Sequence, residues 1–169
     1  MRHLTARTIS RQAFSPFGWL IDASGGVGAT INGGSSRRVD GLTELAFDAQ
    51  GGKACLAVFR AAARDPAGPW TELERHSLGT QTFIPLTGSA YVVLVASGKV
   101  GALGDGKPDA STLQAFAVSG HQGITLRAGT WHHALLALVD GDFVVLERSA
   151  QAADCELAQL PEPICIALP

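Results

Sequence analysis

The amino-acid sequence predicts an all-β fold. Three observations carry this. Twenty Gly and eight Pro are spread through 169 residues. They separate short runs rich in Val, Leu, Phe and Thr, the pattern of many strands joined by turns. Only one segment, close to the start, reads as helix.

That segment is Thr8-Ile9-Ser10-Arg11-Gln12-Ala13-Phe14, which Ser15-Pro16-Phe17-Gly18 ends. Strands are expected at residues 19–22, 54–61, 70–76, 81–86, 91–96, 113–118, 123–127 and 143–147. The turns between them are Pro66-Ala67-Gly68-Pro69, Ser97-Gly98-Lys99, Gly104-Asp105-Gly106-Lys107-Pro108 and Asp140-Gly141-Asp142, all built from residues that favour tight reversals. The longest apolar stretch, Ala90-Tyr91-Val92-Val93-Leu94-Val95-Ala96, reads as a buried strand. It is far shorter than the roughly 20 residues a membrane span requires.

A hydrophobic content of 46 % supplies apolar material for one sizeable core, so a single domain over residues 1–169 is expected. Charged residues make up 17 %, the formal net charge is −2, and no basic cluster is longer than Arg37-Arg38. A nucleic acid or an anionic membrane finds little to grip, and a small-molecule partner fits better. The start, Met1-Arg2-His3-Leu4-Thr5-Ala6-Arg7, lacks the apolar core of a secretory signal, which predicts a cytoplasmic protein. Cys55, Cys155 and Cys165 form neither a C-x-x-C pair nor an even set and are read as packing residues. Gly25-Gly26-Val27-Gly28 has no strand-turn-helix context, so no organic cofactor is expected.

Chemistry concentrates in two motifs: Leu73-Glu74-Arg75-His76-Ser77-Leu78-Gly79-Thr80-Gln81 and Ala128-Gly129-Thr130-Trp131-His132-His133. On an extended strand alternate side chains share a face, so Glu74 and His76 project together while Arg75 points away. A turn or bulge at Ser77-Leu78-Gly79 returns Gln81 beside them. His132, distant in sequence, is placed to approach from an opposed strand. Glu74, His76, Gln81 and His132 together offer mixed N and O donors, suited to a divalent transition ion with open positions. His3 and His121 lie outside both motifs and are read as surface residues.

The first motif, Glu74-x-His76-x4-Gln81-x6-Gly88, resembles the first cupin motif, with Glu in place of its first His and Gln in place of its Glu. Gly129-x2-His132 resembles part of the second, with Arg127 where Pro is usual and Leu136 where Asn is usual. A closer resemblance runs through nearly the whole chain, to the ureidoglycolate lyases. It rests on Phe14-Ser15-Pro16-Phe17-Gly18, on Ile31-Asn32-Gly33-Gly34 followed by Arg38, and on Val58-Phe59-Arg60-Ala61. It continues through Leu73-Glu74-Arg75-His76-x-Leu78-Gly79-x-Gln81-x-Phe83-Ile84-Pro85-Leu86, Gly129-Thr130-Trp131-His132-His133 with Leu135, and Asp142-Phe143. Ala134 replaces the usual Pro, Val39 an aromatic, and Glu147-Arg148 a common Asp-Arg.

This resemblance implies a cupin-like β-barrel (double-stranded β-helix) acting as a homodimer. It also implies cleavage of ureidoglycolate to glyoxylate and urea in purine nitrogen catabolism through allantoin, with nickel or another divalent metal as cofactor. Glu74, His76, His132 and His133 are then the candidate catalytic groups. Asn32, Arg38, Arg60, Gln81 and Trp131 are candidates for holding substrate, the arginines through a planar fork on its carboxylate. For Trp131, packing beneath the barrel mouth is the preferred reading. Two other readings remain open from the sequence: another small-acid cupin enzyme, an isomerase or dioxygenase, and a noncatalytic ligand-binding cupin.

Overall fold

The structure, a computed structural model, describes residues 1–98 and 106–169. Strands β1 (Arg2–Thr5) and β2 (Arg7–Thr8) precede the single α-helix among the described residues, α1 (Arg11–Phe14). Then come β3 (Gly18–Ile21), β4 (Ala29–Ile31), β5 (Ser36–Arg38), β6 (Lys53–Ala61), β7 (Trp70–Arg75), β8 (Gln81–Pro85) and β9 (Tyr91–Ala96). The remainder is β10 (Gln114–Val118), β11 (Gly123–Leu126), β12 (Trp131–His132), β13 (Leu136–Ala137), β14 (Gly141–Ser149) and β15 (Glu156–Ala167).

An eight-stranded sheet runs β1-β15-β7-β12-β9-β10-β2, with β13 pairing to β9. A five-stranded sheet runs β3-β11-β8-β14-β6, and β4 and β5 form a separate hairpin. The two large sheets enclose the main core: Tyr91, Val93, Val95 and Phe116 from the first meet Phe83, Ile124, Leu126, Phe143 and Val145 from the second. The fold is all-β and barrel-like, as expected.

Strand β9 shows why its sequence is continuously apolar. Tyr91, Val93 and Val95 face the main core, whereas Val92, Leu94 and Ala96 face a second one. That second core lies against the outer face of the larger sheet, where Trp70, Leu73, Trp131 and Leu136 pack under Leu160, Ile164 and Ile166 of β15. A strand buried on both faces has no polar face to alternate with.

The helix is a single turn whose entry Ser10 caps by accepting from Ala13 N at 3.2 Å. It delivers Phe14, fully buried, edge-on to Phe116 at 5.5 Å between ring centroids, with Phe17 next to both. Gly18 follows because β11 passes too close for a side chain: a Cβ there would lie 1.9 Å from the Thr125 carbonyl oxygen. The Phe14 to Gly18 segment therefore closes one side of the core.

All eight expected strands form, with ends shifted by at most two residues. Strands β1, β2, β4, β5, β12, β13 and β15 carry no strong sequence signal. In β15, Pro161 and Pro163 interrupt the pattern, and its pairing with β7 shifts register between Gln159 and Ile164; proline is tolerated in a strand at such irregularities. Gly98 and Pro108 form an isolated antiparallel bridge, while Lys99, Gly104 and Asp105 of the two expected turns there lie outside the described residues. Among the described residues no helix is long and apolar enough to cross a membrane.

Candidate metal centre and its cavity

Strand alternation sets the site. Leu73 points into the second core, so its neighbour Glu74 points into the barrel; Trp131 points into the second core, so His132 points into the barrel. Glu74 and His132 are register partners across the β7–β12 ladder. On the facing sheet, Gln81 shares its side of β8 with the core residue Phe83, and Glu147 shares its side of β14 with Phe143 and Val145. Four polar side chains thus converge at one end of an otherwise apolar interior.

His76 lies one residue beyond the end of β7, and the turn that carries it is held from β15's approach. Both carboxylate oxygens of Asp154 accept backbone N–H groups, Ser77 N at 2.9 Å and Leu78 N at 2.8 Å. The Asp154 carbonyl accepts from His76 Nδ1. The second motif is tied to the first by Gly129 N, which donates to His76 O at 2.7 Å. Gly129 adopts φ 82°, a left-handed conformation that glycine enters at little cost.

Glu74, His76 and His132 each bring one donor atom to a point where all three lie within 4.8 Å of one another. The two imidazole rings are 5.5 Å apart between centroids. His132 Nδ1 donates to Thr130 O at 3.0 Å, and His76 Nδ1 is likewise committed to a carbonyl. Each Nε2 therefore presents its lone pair to the site when the ring is neutral. Both Nε2 atoms and Gln81 Oε1 are buried without a hydrogen-bond partner. His132 Nε2 stands 3.4 Å from Glu74 Oε1, within ion-pair reach but outside hydrogen-bond alignment.

Lone pairs aimed at a carboxylate repel unless something positive lies between them, either a proton or a metal ion. The orphaned nitrogens, Gln81 Oε1 and the Glu74 carboxylate fit a divalent cation of intermediate softness, and the backbone bonds to each Nδ1 are the usual orienting contacts behind ligating imidazoles. The adjacent His132 imidazole is the main influence that holds the Glu74 carboxyl below its usual range, against the opposing effect of burial. Cys155, expected to pack in a core, is instead exposed, with Sγ donating to Glu74 Oε2 at 3.8 Å.

Beside Glu74 opens a cavity of about 340 Å³ with apolar walls from Phe59, Phe83, Ala134 and Leu135. Gln81 and Arg60 also line it. The Arg60 guanidinium is 87 % exposed and binds Asp142 through two hydrogen bonds of 3.0 and 3.2 Å.

Over the whole of this scaffold, residues 1–167 match the family model described as ureidoglycolate lyase. The chain belongs to the ureidoglycolate lyase family. A ureidoglycolate lyase of Burkholderia mallei (strain NCTC 10229) is 36 % identical over 165 residues, covering 97 % of this chain and 93 % of the relative. Those of Azotobacter vinelandii (strain DJ) and Pseudomonas fluorescens (strain Pf0-1) are 38 % and 37 % identical over 157 residues, 92 % of this chain and 91 % and 90 % of theirs.

Other residues that the ureidoglycolate lyase resemblance singled out lie apart from the donor cluster. Asn32 and Arg38 are exposed on the β4–β5 hairpin, where Asn32 takes φ 51° in the turn and Arg38 pairs with Asp40 at 2.8 Å; neither lines the cavity beside Glu74. His133 packs edge-on to Trp70 at 4.7 Å, and its Nδ1 donates to Ala134 O at 2.7 Å. Burial is the main cause that holds its pKa below the usual imidazole value. Trp131 does not line the cavity beside Glu74. Alternation with His132 buries it in the second core, where its indole donates to Gly106 O and the Arg75 guanidinium covers its ring at 4.7 Å.

Two residues at the site carry weaker sequence signals. Glu147 accepts from Gln81 Nε2 at 2.8 Å; the period-two pattern Phe143, Val145, Glu147 marks it as inward-facing. Asp154 acts through a long-range turn contact for which the local sequence offers no pattern.

Proposed function

We propose that this protein is a carbon–nitrogen lyase of the amidine-lyase type that cleaves ureidoglycolate to glyoxylate and urea, within purine nitrogen catabolism through allantoin. One observation carries the reading: Glu74, His76 and His132 converge on a point beside a small cavity that has both an apolar wall and an arginine at its exposed side. Membership of the family and the names of its relatives support it.

In ureidoglycolate one carbon carries a carboxylate, a hydroxyl and a ureido nitrogen. Cleavage removes the hydroxyl proton, forms the aldehyde C=O, breaks the C–N bond and returns a proton to the departing urea. A bound divalent metal, with nickel the choice the family favours, would act as a Lewis acid that lowers the hydroxyl pKa. Glu74, His76 and His132 would hold it, with Gln81 as a further oxygen donor. Glu74, charged and at the cavity wall, would take the hydroxyl proton. General-base help of this kind is worth about 10²–10⁴-fold. Arg60 lines the same cavity, and its planar fork would exchange its two bonds with Asp142 for the substrate carboxylate. We further propose that residues 1–169 act as one catalytic domain, in the cytoplasm, as a homodimer.

The test is urea and glyoxylate release from ureidoglycolate by the purified protein, set against spontaneous decay and His132→Ala. It is run as isolated, after chelation, and after adding back nickel, manganese or zinc. Equimolar products well above the His132→Ala background support the lyase, and loss on chelation with metal rescue supports the cofactor. No release under any condition would overturn the reading.

A further inference from the structure

Gln81 is 5 % exposed, yet only one of its two amide atoms has a partner. Its Nε2 donates to Glu147 Oε2 at 2.8 Å, while Oε1 is buried without a hydrogen bond. Buried acceptors are nearly always paired, so this oxygen calls for a donor or a cation. Gln81 lines the larger cavity together with Glu74, and Glu147 lines a second one of about 140 Å³ together with His76. The amide and its carboxylate partner therefore adjoin two of the three clustered donor residues. The buried lone pairs left without a partner at this end of the barrel are those of Gln81 Oε1, His76 Nε2 and His132 Nε2.

The two ends of a glutamine amide are nearly equal in shape, one accepting and one donating, and the neighbours decide which way it turns. A carboxylate only accepts. Turning the amide over would set Oε1 against Glu147 Oε2, two acceptors in contact, and would put N–H groups where Oε1 now lies. N–H groups there would repel a cation instead of binding it.

We infer that Glu147 is a positioning residue: it locks the Gln81 amide so that the carbonyl oxygen, and not the NH₂, completes the ligand set of Glu74, His76 and His132. The inference rests on the metal reading given above and extends it by one residue behind the ligands. Outer contacts of this kind orient ligating groups and are worth about 10–100-fold in metal affinity.

The test is nickel binding by the metal-free protein, followed by calorimetry, with the melting temperature of each metal-free variant as the check on folding. Glu147→Gln keeps the size of the side chain and can bond to Gln81 in either orientation of that amide, so it no longer dictates the turn. Affinity should fall by about tenfold or more at an unchanged melting temperature. Gln81→Met removes the oxygen and should lower affinity at least as far. With Gln81→Met in place, adding Glu147→Gln should change little further, because nothing remains to be oriented. Exchanging the pair, Gln81→Glu with Glu147→Gln, reverses the hydrogen bond and still turns an oxygen to the cluster; it should return affinity to the wild-type level or above. If Glu147→Gln alone does not fold, the exchanged pair decides, and an affinity well below wild type in it would overturn the inference. So would an affinity unchanged in Glu147→Gln, or effects of Glu147→Gln and Gln81→Met that simply add, either of which leaves the metal reading intact. No nickel binding by the wild type would overturn both, and product release by the metal-free protein would then decide the lyase reading alone.

Discussion

His132 Nε2 and Glu74 Oε1 face each other at 3.4 Å from directly paired positions on adjacent strands, without hydrogen-bond alignment and with His132 2 % exposed. The pairing fixes the two backbones, so neither side chain can withdraw far from the other. Glu74, His132 and His76 would hold a divalent metal ion, whose positive charge would relieve this arrangement.

Replacing Glu74 with Gln keeps the volume but removes the charge. Metal affinity should fall by about 10–100-fold or more, since even contacts that only orient ligands are worth that much. Nickel-dependent stabilisation in thermal melts would largely vanish. A variant still stabilised as strongly as wild type would exclude Glu74 from the ligand set.

Acid should weaken metal binding. The ligating imidazoles must be neutral and Glu74 ionised, so protons compete with the ion and are released when it binds. Glu74 sits below its ordinary value of 4.5, chiefly through the adjacent His132. In the metal-free protein its contribution to stability is therefore present above that value and lost as pH falls through the lower folded-state pKa. Calorimetric titration in buffers of different ionisation enthalpy should show protons released as the ion binds, and affinity should fall from neutral to acid pH, as proton competition requires. Affinity constant across that range would contradict imidazole ligation.

Much of this site is readable in the sequence because it depends on strand alternation, which is local. Glu74 and His132 follow from it, and so does Arg75 pointing away. Trp131 follows the same rule: the alternation that turns His132 inward turns its neighbour out, so the packing reading describes it better than contact with substrate. What is not readable depends on distant contacts. Asp154 holds the His76 turn from 78 residues along the chain, and β15 folds over the second core despite two prolines. Its register follows from the surface it covers rather than from its own pattern.

Asp154→Ala should show how much that remote contact matters. Two N–H bonds to a carboxylate are lost, and a destabilisation of about 1–3 kcal/mol is expected. Metal affinity should fall by about 10–100-fold because the His76 ring loses its orientation. Asp154→Asn, which keeps one acceptor oxygen, should recover part of both. Melting curves and metal titrations on the three proteins give the answer; a loss of stability with metal affinity unchanged would make Asp154 purely structural.

Gly18→Ala tests the packing that closes the core. The added methyl would meet the Thr125 carbonyl oxygen at 1.9 Å, and that oxygen belongs to the β3–β11 ladder and cannot rotate aside. Separation of the strands is expected to cost about 1–3 kcal/mol, as overpacking does. A melting temperature equal to wild type would show that β3 can shift freely.

Arg60→Ala separates binding from chemistry. The Arg60–Asp142 pair is solvent-exposed, so the melting temperature should not change measurably. If the guanidinium anchors the substrate carboxylate equally in ground and transition states, KM should rise by about tenfold with kcat nearly constant. Arg60→Lys should recover little, because an ammonium lacks the two parallel donors of the fork. An equal fall in kcat and kcat/KM would instead mean that the contact strengthens as the C–N bond breaks. No change in either constant would take Arg60 out of the site and leave it as Asp142's partner alone.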